Sequence, residues 1–188
     1  MRGGRRFANR VDLTPAGGPI MQQLSLQTLS DRALISDQLY RYAKGLDTRN
    51  WDLVASVLTD PFHLHAEMLD IDCTLSPQEY IEMAPGKFLP GFEATAHLNT
   101  NQLITIDGDQ AHIETRMYAC HYINPQDNTQ TEQLSAPASI HCNMQMTWEG
   151  WLTRQPDGDW LFHKVHMGVA ASEGDMSAMQ IARSRVED

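Results

Sequence analysis

The chain has little cysteine, little positive charge and no long apolar run. Its three cysteines, Cys73, Cys120 and Cys142, are odd in number, far apart and without a C-x-x-C spacing. That argues against a disulfide framework or a thiolate zinc site and leaves reduced, buried thiols as the plain reading. Fourteen Lys and Arg stand against 24 Asp and Glu, a formal charge of -10, so no nucleic-acid partner is expected. No apolar run approaches the roughly 20 residues of a membrane span, and no membrane partner is expected either. No secretory signal is expected. Residues 1–20 carry Arg2, Arg5, Arg6 and Arg10 against Asp12 alone, with no apolar core. The expectation is a cytoplasmic protein whose residues 1–24 form a disordered arm. The Arg-rich, acid-poor tail leaves a mitochondrial presequence open, and Met21 is a second candidate start.

At 188 residues the chain suits one domain with a sizeable core. The stretch 39–51, LYRYAKGLDTRNW, organises it. Ile35, Leu39, Tyr42, Ala43 and Leu46 keep the spacing of a buried helical stripe, over a helix expected from about Asp31 to Gly45. Thr28 to Asp31 offer capping oxygens at its start, and Gly45 is a plausible stop. Thr48 or Asn50 can cap a second helix, Trp51 to Leu58. Asp47 lies between the two, where a carboxylate needs a donor or a cation to meet it. Phe62 to Leu69 reads as a strand. Ser76-Pro77-Gln78-Glu79 is a strong start for a short third helix.

Beyond residue 92 the pattern turns to sheet. Residues 96–106, 110–124, 139–154 and 159–170 read as long strands, joined by hairpin chemistry at Asp107-Gly108 and at Pro156 to Asp159. The polar segment 124–138 reads as a mobile loop, and residues 172–188 as a C-terminal tail with a short helix near Met176–Arg185. Helices first and an antiparallel sheet afterwards argue for an α+β fold, with the domain over 25–171.

This order resembles the SnoaL-like branch of the nuclear transport factor two-like superfamily. The resemblance rests on Tyr42 and Asp47 in Tyr-x-x-x-x-Asp followed by Trp51-Asp52-Leu53. Ala96-His97-Leu98 at a strand start, Ile104 to Asp109, and Gly158 to Phe162 also carry it. It implies a cone, with a curved antiparallel sheet wrapped around helices and enclosing a pocket. Relatives in that superfamily include bile-acid and scytalone dehydratases and a hexachlorocyclohexane dehydrochlorinase, which place an Asp and a His in the pocket. By motif these are Asp47 and His97, with Tyr42 as the functional tyrosine. The resemblance also turns His97, Asn99 and Asn101 inward and makes a homodimer through the outer sheet face, or a higher homo-oligomer, the expected assembly.

An Asp–His pair with a nearby phenol suits general acid–base chemistry. The expected function is therefore a cofactor-independent lyase or isomerase acting on a hydrophobic small molecule. The expected catalytic residues are Asp47, His97 and Tyr42, with Tyr40, Asn99, Asn101 and Trp51 contacting substrate. Each also has a plainer reading: Asp47 as a helix cap, His97 as a structural strand residue, Tyr42 as core. A non-catalytic ligand-binding or assembly module, or a structural subunit akin to the small subunit of ring-hydroxylating dioxygenases, would use the same fold. His63, His65 and Glu67 share one strand face and are formally ligand-like. The other histidines have no metal spacing, and a packed or solvated His-rich sheet with no metal is the expectation.

Overall fold

Ser25 opens the long first helix by accepting the Thr28 N–H at 3.0 Å, and α1 then runs Leu26–Thr48. The computed structural model describes residues 24–124 and 140–187. The expected arm and the expected polar loop therefore fall almost wholly outside the described residues. The predicted stripe of Ile35, Leu39, Tyr42, Ala43 and Leu46 is buried along α1. Asp31 is not a cap. It is buried one turn inside the helix, where Arg154 donates to both its oxygens at 2.7 and 2.8 Å.

Gly45 does not stop α1, which continues three residues further to a left-handed Arg49 at φ 57°. Gly45 is there for another reason. A β-carbon on it would lie 2.7 Å from Val54 Cγ2, because the short helix α2 (Trp51–Ala55) folds straight back across it. Asn50 caps α2 by accepting the Leu53 N–H at 3.0 Å. The third helix, α3 (Pro77–Met83), has the predicted reciprocal Ser76–Glu79 capping box with Pro at its first turn.

Among the described residues six strands form one sheet in the order β2-β1-β6-β5-β4-β3. They are β1 (Leu58–Ala66), β2 (Ile71–Leu75), β3 (Ala94–Asp107), β4 (Gln110–Ile123), β5 (Ile140–Arg154) and β6 (Trp160–Gly174). β3 to β6 are an antiparallel meander, and β2 pairs antiparallel with β1. The expected all-antiparallel sheet is nevertheless mixed, since β1 runs parallel to β6. β2 was not foreseen because its middle residues, Asp72, Cys73 and Thr74, are exposed and lack strand alternation. The α+β class holds: Trp148, Trp160, Phe62 and Phe162 on the sheet are buried with Leu39 and Tyr42 of α1 in one core.

The segment expected as a tail is part of that body. Residues 172–174 complete β6, and α4 (Ser177–Glu187) buries Ala178 and Ala182. A β-carbon at Gly91 would come within 1.9 Å of the Ala182 carbonyl oxygen, so only glycine permits this close approach.

One irregularity matters for the site. The β3–β4 register shifts between Thr100 and Leu103, and Asn101 takes a left-handed φ of 54° there. Such a bulge exchanges the two faces of a strand. His97 and Asn99 are half-buried before it, whereas Ile104 and Ile106 are the half-buried residues after it. The simple alternation that groups His97 with Leu103 and Thr105 therefore fails at Asn101.

Candidate active site

Asp47 is in the last turn of α1 and His97 in the fourth position of β3, and the fold joins them. His97 Nδ1 is 2.6 Å from Asp47 Oδ1, and the His97 backbone N–H donates to Asp47 Oδ2 at 3.0 Å. Thr95, two residues earlier on the same strand face, donates its hydroxyl to Asp47 Oδ1 at 3.0 Å. Arg49 in turn donates to that hydroxyl at 2.7 Å and to the Leu46 carbonyl at 2.6 Å. Asp47 is therefore no helix cap. It is met by a ring N–H, a backbone N–H and a hydroxyl backed by a guanidinium.

Burial pushes the Asp47 carboxyl up, but the bonds from the His97 ring and backbone and from Thr95 outweigh it and hold it below its ordinary value. An ionised carboxylate only accepts, so the proton of neutral His97 sits on Nδ1 and Nε2 keeps a bare lone pair. His97 is one of the residues lining an apolar cavity of about 70 Å³.

Tyr42 is on the wall of the same cavity, and its hydroxyl is hydrogen-bonded to that of Tyr80 from α3. Burial raises both phenols, Tyr42 well above its ordinary value and Tyr80 to about 12. Both therefore stay protonated, and a pair of phenols that spends one proton on its mutual bond retains one for a ligand. His121 of β4 also lines the cavity, its ring edge-on to His97 at 5.6 Å. Burial, with the neighbouring His97, drives His121 down to about 4. The neutral ring donates Nδ1–H to the Cys142 carbonyl at 3.1 Å. Six methionines, at 68, 117, 144, 146, 167 and 179, supply much of the remaining wall. A groove of about 230 Å³ adjoins it, sharing Met68, Phe88 and Met179 and adding Met176, Gln180 and Arg183.

His97 and Tyr42 thus line one cavity, with Asp47 bonded to His97, and four other residues singled out in the sequence are not at the cavity. Tyr40 is half-exposed on α1 and accepts from Gln102 Nε2 at 2.9 Å. Trp51 packs against the core at the start of α2. Asn101 is the exposed bulge residue. The Asn99 amide is buried, with neither polar atom hydrogen-bonded among the described residues, and does not line the cavity. Tyr80, His121, Thr95 and Arg49 were missed. Only Thr95 carried a signal, because its distance of two from His97 puts it on the same strand face.

A family described as SnoaL-like domain matches residues 27–166. Among solved structures, the Kfla4162 protein from Kribbella flavida is similar with a TM-score of 0.66 and 25% identity, covering 82% of this chain and 98% of that one. A protein provisionally named scytalone dehydratase, from Novosphingobium aromaticivorans, has a TM-score of 0.60 at 16% identity, over 79% of this chain and 90% of its own. The hexachlorocyclohexane dehydrochlorinase LinA-type3 from Novosphingobium barchaimii has a TM-score of 0.61 at 18% identity, over 80% and 94%. The last two are likenesses of fold. No curated protein matches the chain. Among the described residues no helix is long and apolar enough to cross a membrane.

Proposed function

The chain belongs to the SnoaL-like domain family, and from that premise we propose that it is a lyase or isomerase for a hydrophobic small molecule. The observation that carries this reading is the 2.6 Å contact between His97 and Asp47 at the wall of an apolar cavity. His97 Nε2 takes a proton from a carbon beside an electron-withdrawing group. The imidazolium that forms is stabilised by Asp47, which also fixes the tautomer beforehand. The C–H electron pair either expels a hydroxyl or halide from the next carbon or moves through a carbonyl and is reprotonated elsewhere. The Tyr42–Tyr80 pair supplies its spare proton to the carbonyl or departing oxygen. Neither route needs an organic cofactor. The names of two fold neighbours, a dehydratase and a dehydrochlorinase, describe eliminations of this kind.

The cavity of about 70 Å³ is smaller than the ~150 Å³ apolar cavity that takes benzene. A ring-sized substrate therefore requires the wall to yield, and unbranched methionine side chains are suited to that. The test is turnover of a panel of apolar β-hydroxy and β-halo carbonyl and cyclic compounds, followed by the ultraviolet absorption of the new double bond. His97→Ala should lose about 10²–10⁴-fold in rate, the usual worth of a general base. Asp47→Asn should lose activity without losing the fold. A substrate turned over equally fast by His97→Ala would refute the mechanism, and ligand binding without turnover would then be the better reading.

A further inference from the structure

The outer face of the sheet holds a second constellation, independent of the cavity. Because β1 is parallel to β6, His65 is directly beside His166, and Glu149 and Glu114 continue the same row across β5 and β4. The two imidazoles stack with centroids 4.5 Å apart and planes 13° from parallel. Glu67, in the 3₁₀ turn Glu67–Leu69 that leaves β1, reaches back so that Oε1 is 3.0 Å from His166 Nε2. One ligand atom from each of His65, Glu67 and His166 can be chosen so that all three lie within 4.8 Å of one another.

We propose that His65, Glu67 and His166 form a binding site for one divalent transition-metal ion of the zinc type. Two imidazole nitrogens and a carboxylate are a familiar donor set for such ions, with the remaining positions left to water. Bonds of about 2.0–2.1 Å require the donors to close to roughly 3.3 Å, which rotation of the two half-exposed rings and the exposed carboxylate can provide.

Two further features separate this cluster from an ordinary surface ion pair. Glu149 Oε1 is 3.6 Å from the other ring nitrogen of His166, Nδ1. That is the place of the carboxylate that orients a metal-bound histidine. Glu149 is itself held by His112 Nε2 at 3.1 Å. Gly168 is the second feature. A β-carbon there would be 3.1 Å from Glu67 Oε2 and 2.8 Å from Thr147 Oγ1, so the bare backbone leaves the space into which Glu67 folds. His63, the residue that sequence spacing groups with His65 and Glu67, shares the face of His65 but is turned toward β2. It pairs with Asp72 at 3.0 Å and with Thr74 at 3.3 Å. Lys164, paired with His63 in the adjoining row, is drawn 4.5 Å over the Trp151 ring.

The test uses the full-length, untagged chain after chelator treatment, titrated with Zn²⁺ in competition with a chromophoric chelator and, separately, with Co²⁺ followed by visible absorption. One equivalent of Zn²⁺ should bind. His65→Ala, Glu67→Gln and His166→Ala should each weaken it by at least tenfold. Glu149→Gln should weaken it less and change the Co²⁺ spectrum. His63→Ala and His97→Ala should bind as wild type, which separates this site from the strand neighbour and from the cavity. Circular dichroism checks the fold of each variant, and His65→Ala decides if His166→Ala fails to fold. Wild-type binding only at millimolar Zn²⁺, undiminished binding by His65→Ala, or loss on His97→Ala would overturn the proposal.

Discussion

Acidification from pH 6.5 to 4 should destabilise this fold, with His121 carrying the largest share. The residue is 3% exposed, its ring 4.9 Å from Phe92 and 5.6 Å from His97, with a hydrogen bond to the Cys142 carbonyl. Burial first, and the neighbouring His97 second, lower it from 6.5 to about 4. The unfolded chain takes up this proton near pH 6.5 and the native protein only near pH 4. In between, the unfolded state binds more protons, so stability falls as pH falls. At about 1.36 kcal/mol per pH unit, the loss across that interval is roughly 3 kcal/mol, a large share of the roughly 5–15 kcal/mol that holds a domain folded. His163 is also lowered by burial and acts in the same direction. The carboxyls of Asp31 and Asp47 are held below 3.8, so their contributions are lost only at still lower pH. Urea unfolding at pH 7.5, 5.5 and 4.5 isolates the effect when wild type is compared with His121→Asn. The amide cannot titrate but can keep a donor toward Cys142. Wild type should lose about 2.5 kcal/mol more than the variant over this range. Equal pH slopes in the two proteins would refute the assignment of a buried, neutral His121.

Two other substitutions probe the framework. Asp31→Ala removes the acceptor shared by Arg154 and Trp160 and should cost about 3 kcal/mol, read as a lower urea midpoint at neutral pH. Gly45→Ala places a methyl against Val54 and should cost about 1–3 kcal/mol by overpacking, although alanine ordinarily favours a helix. A rise in melting temperature for Gly45→Ala would contradict the close α1–α2 crossing.

The readable part of this protein was local. The α1 stripe, the Ser76–Glu79 capping box and the four long strands are all stated by spacing within a dozen residues. The Asp47–His97 pairing was reachable only through the family resemblance, since the two are 50 residues apart. What stayed hidden depends on register. A bulge at Asn101 separates it from the His97 face, and nothing in a run of polar residues marks which one will be extra. Tyr80 and His121 enter the cavity because α3 and β4 are packed there by the sheet. The parallel β1–β6 pair sets His65 beside His166 at a separation of about a hundred residues, beyond any local pattern. Gly45 was misread because a glycine that ends a helix and one that lets another helix cross look alike in sequence.

The cavity wall is divided between two kinds of structure. Tyr42, His97 and His121 stand on α1 and the paired strands of the sheet, whereas Met68, Phe88 and Met179 come from 3₁₀ turns, their connections and α4. His97 and His121 are therefore tied down by the backbone ladder of the sheet, whereas Met68, Phe88 and Met179 stand outside it. Exchanges at positions 68, 88 and 179 can resize the chamber while leaving the 2.6 Å Asp47–His97 contact alone. Under the proposed reaction, a chain arranged this way could drift from one ligand to another by small steps without first relearning its chemistry.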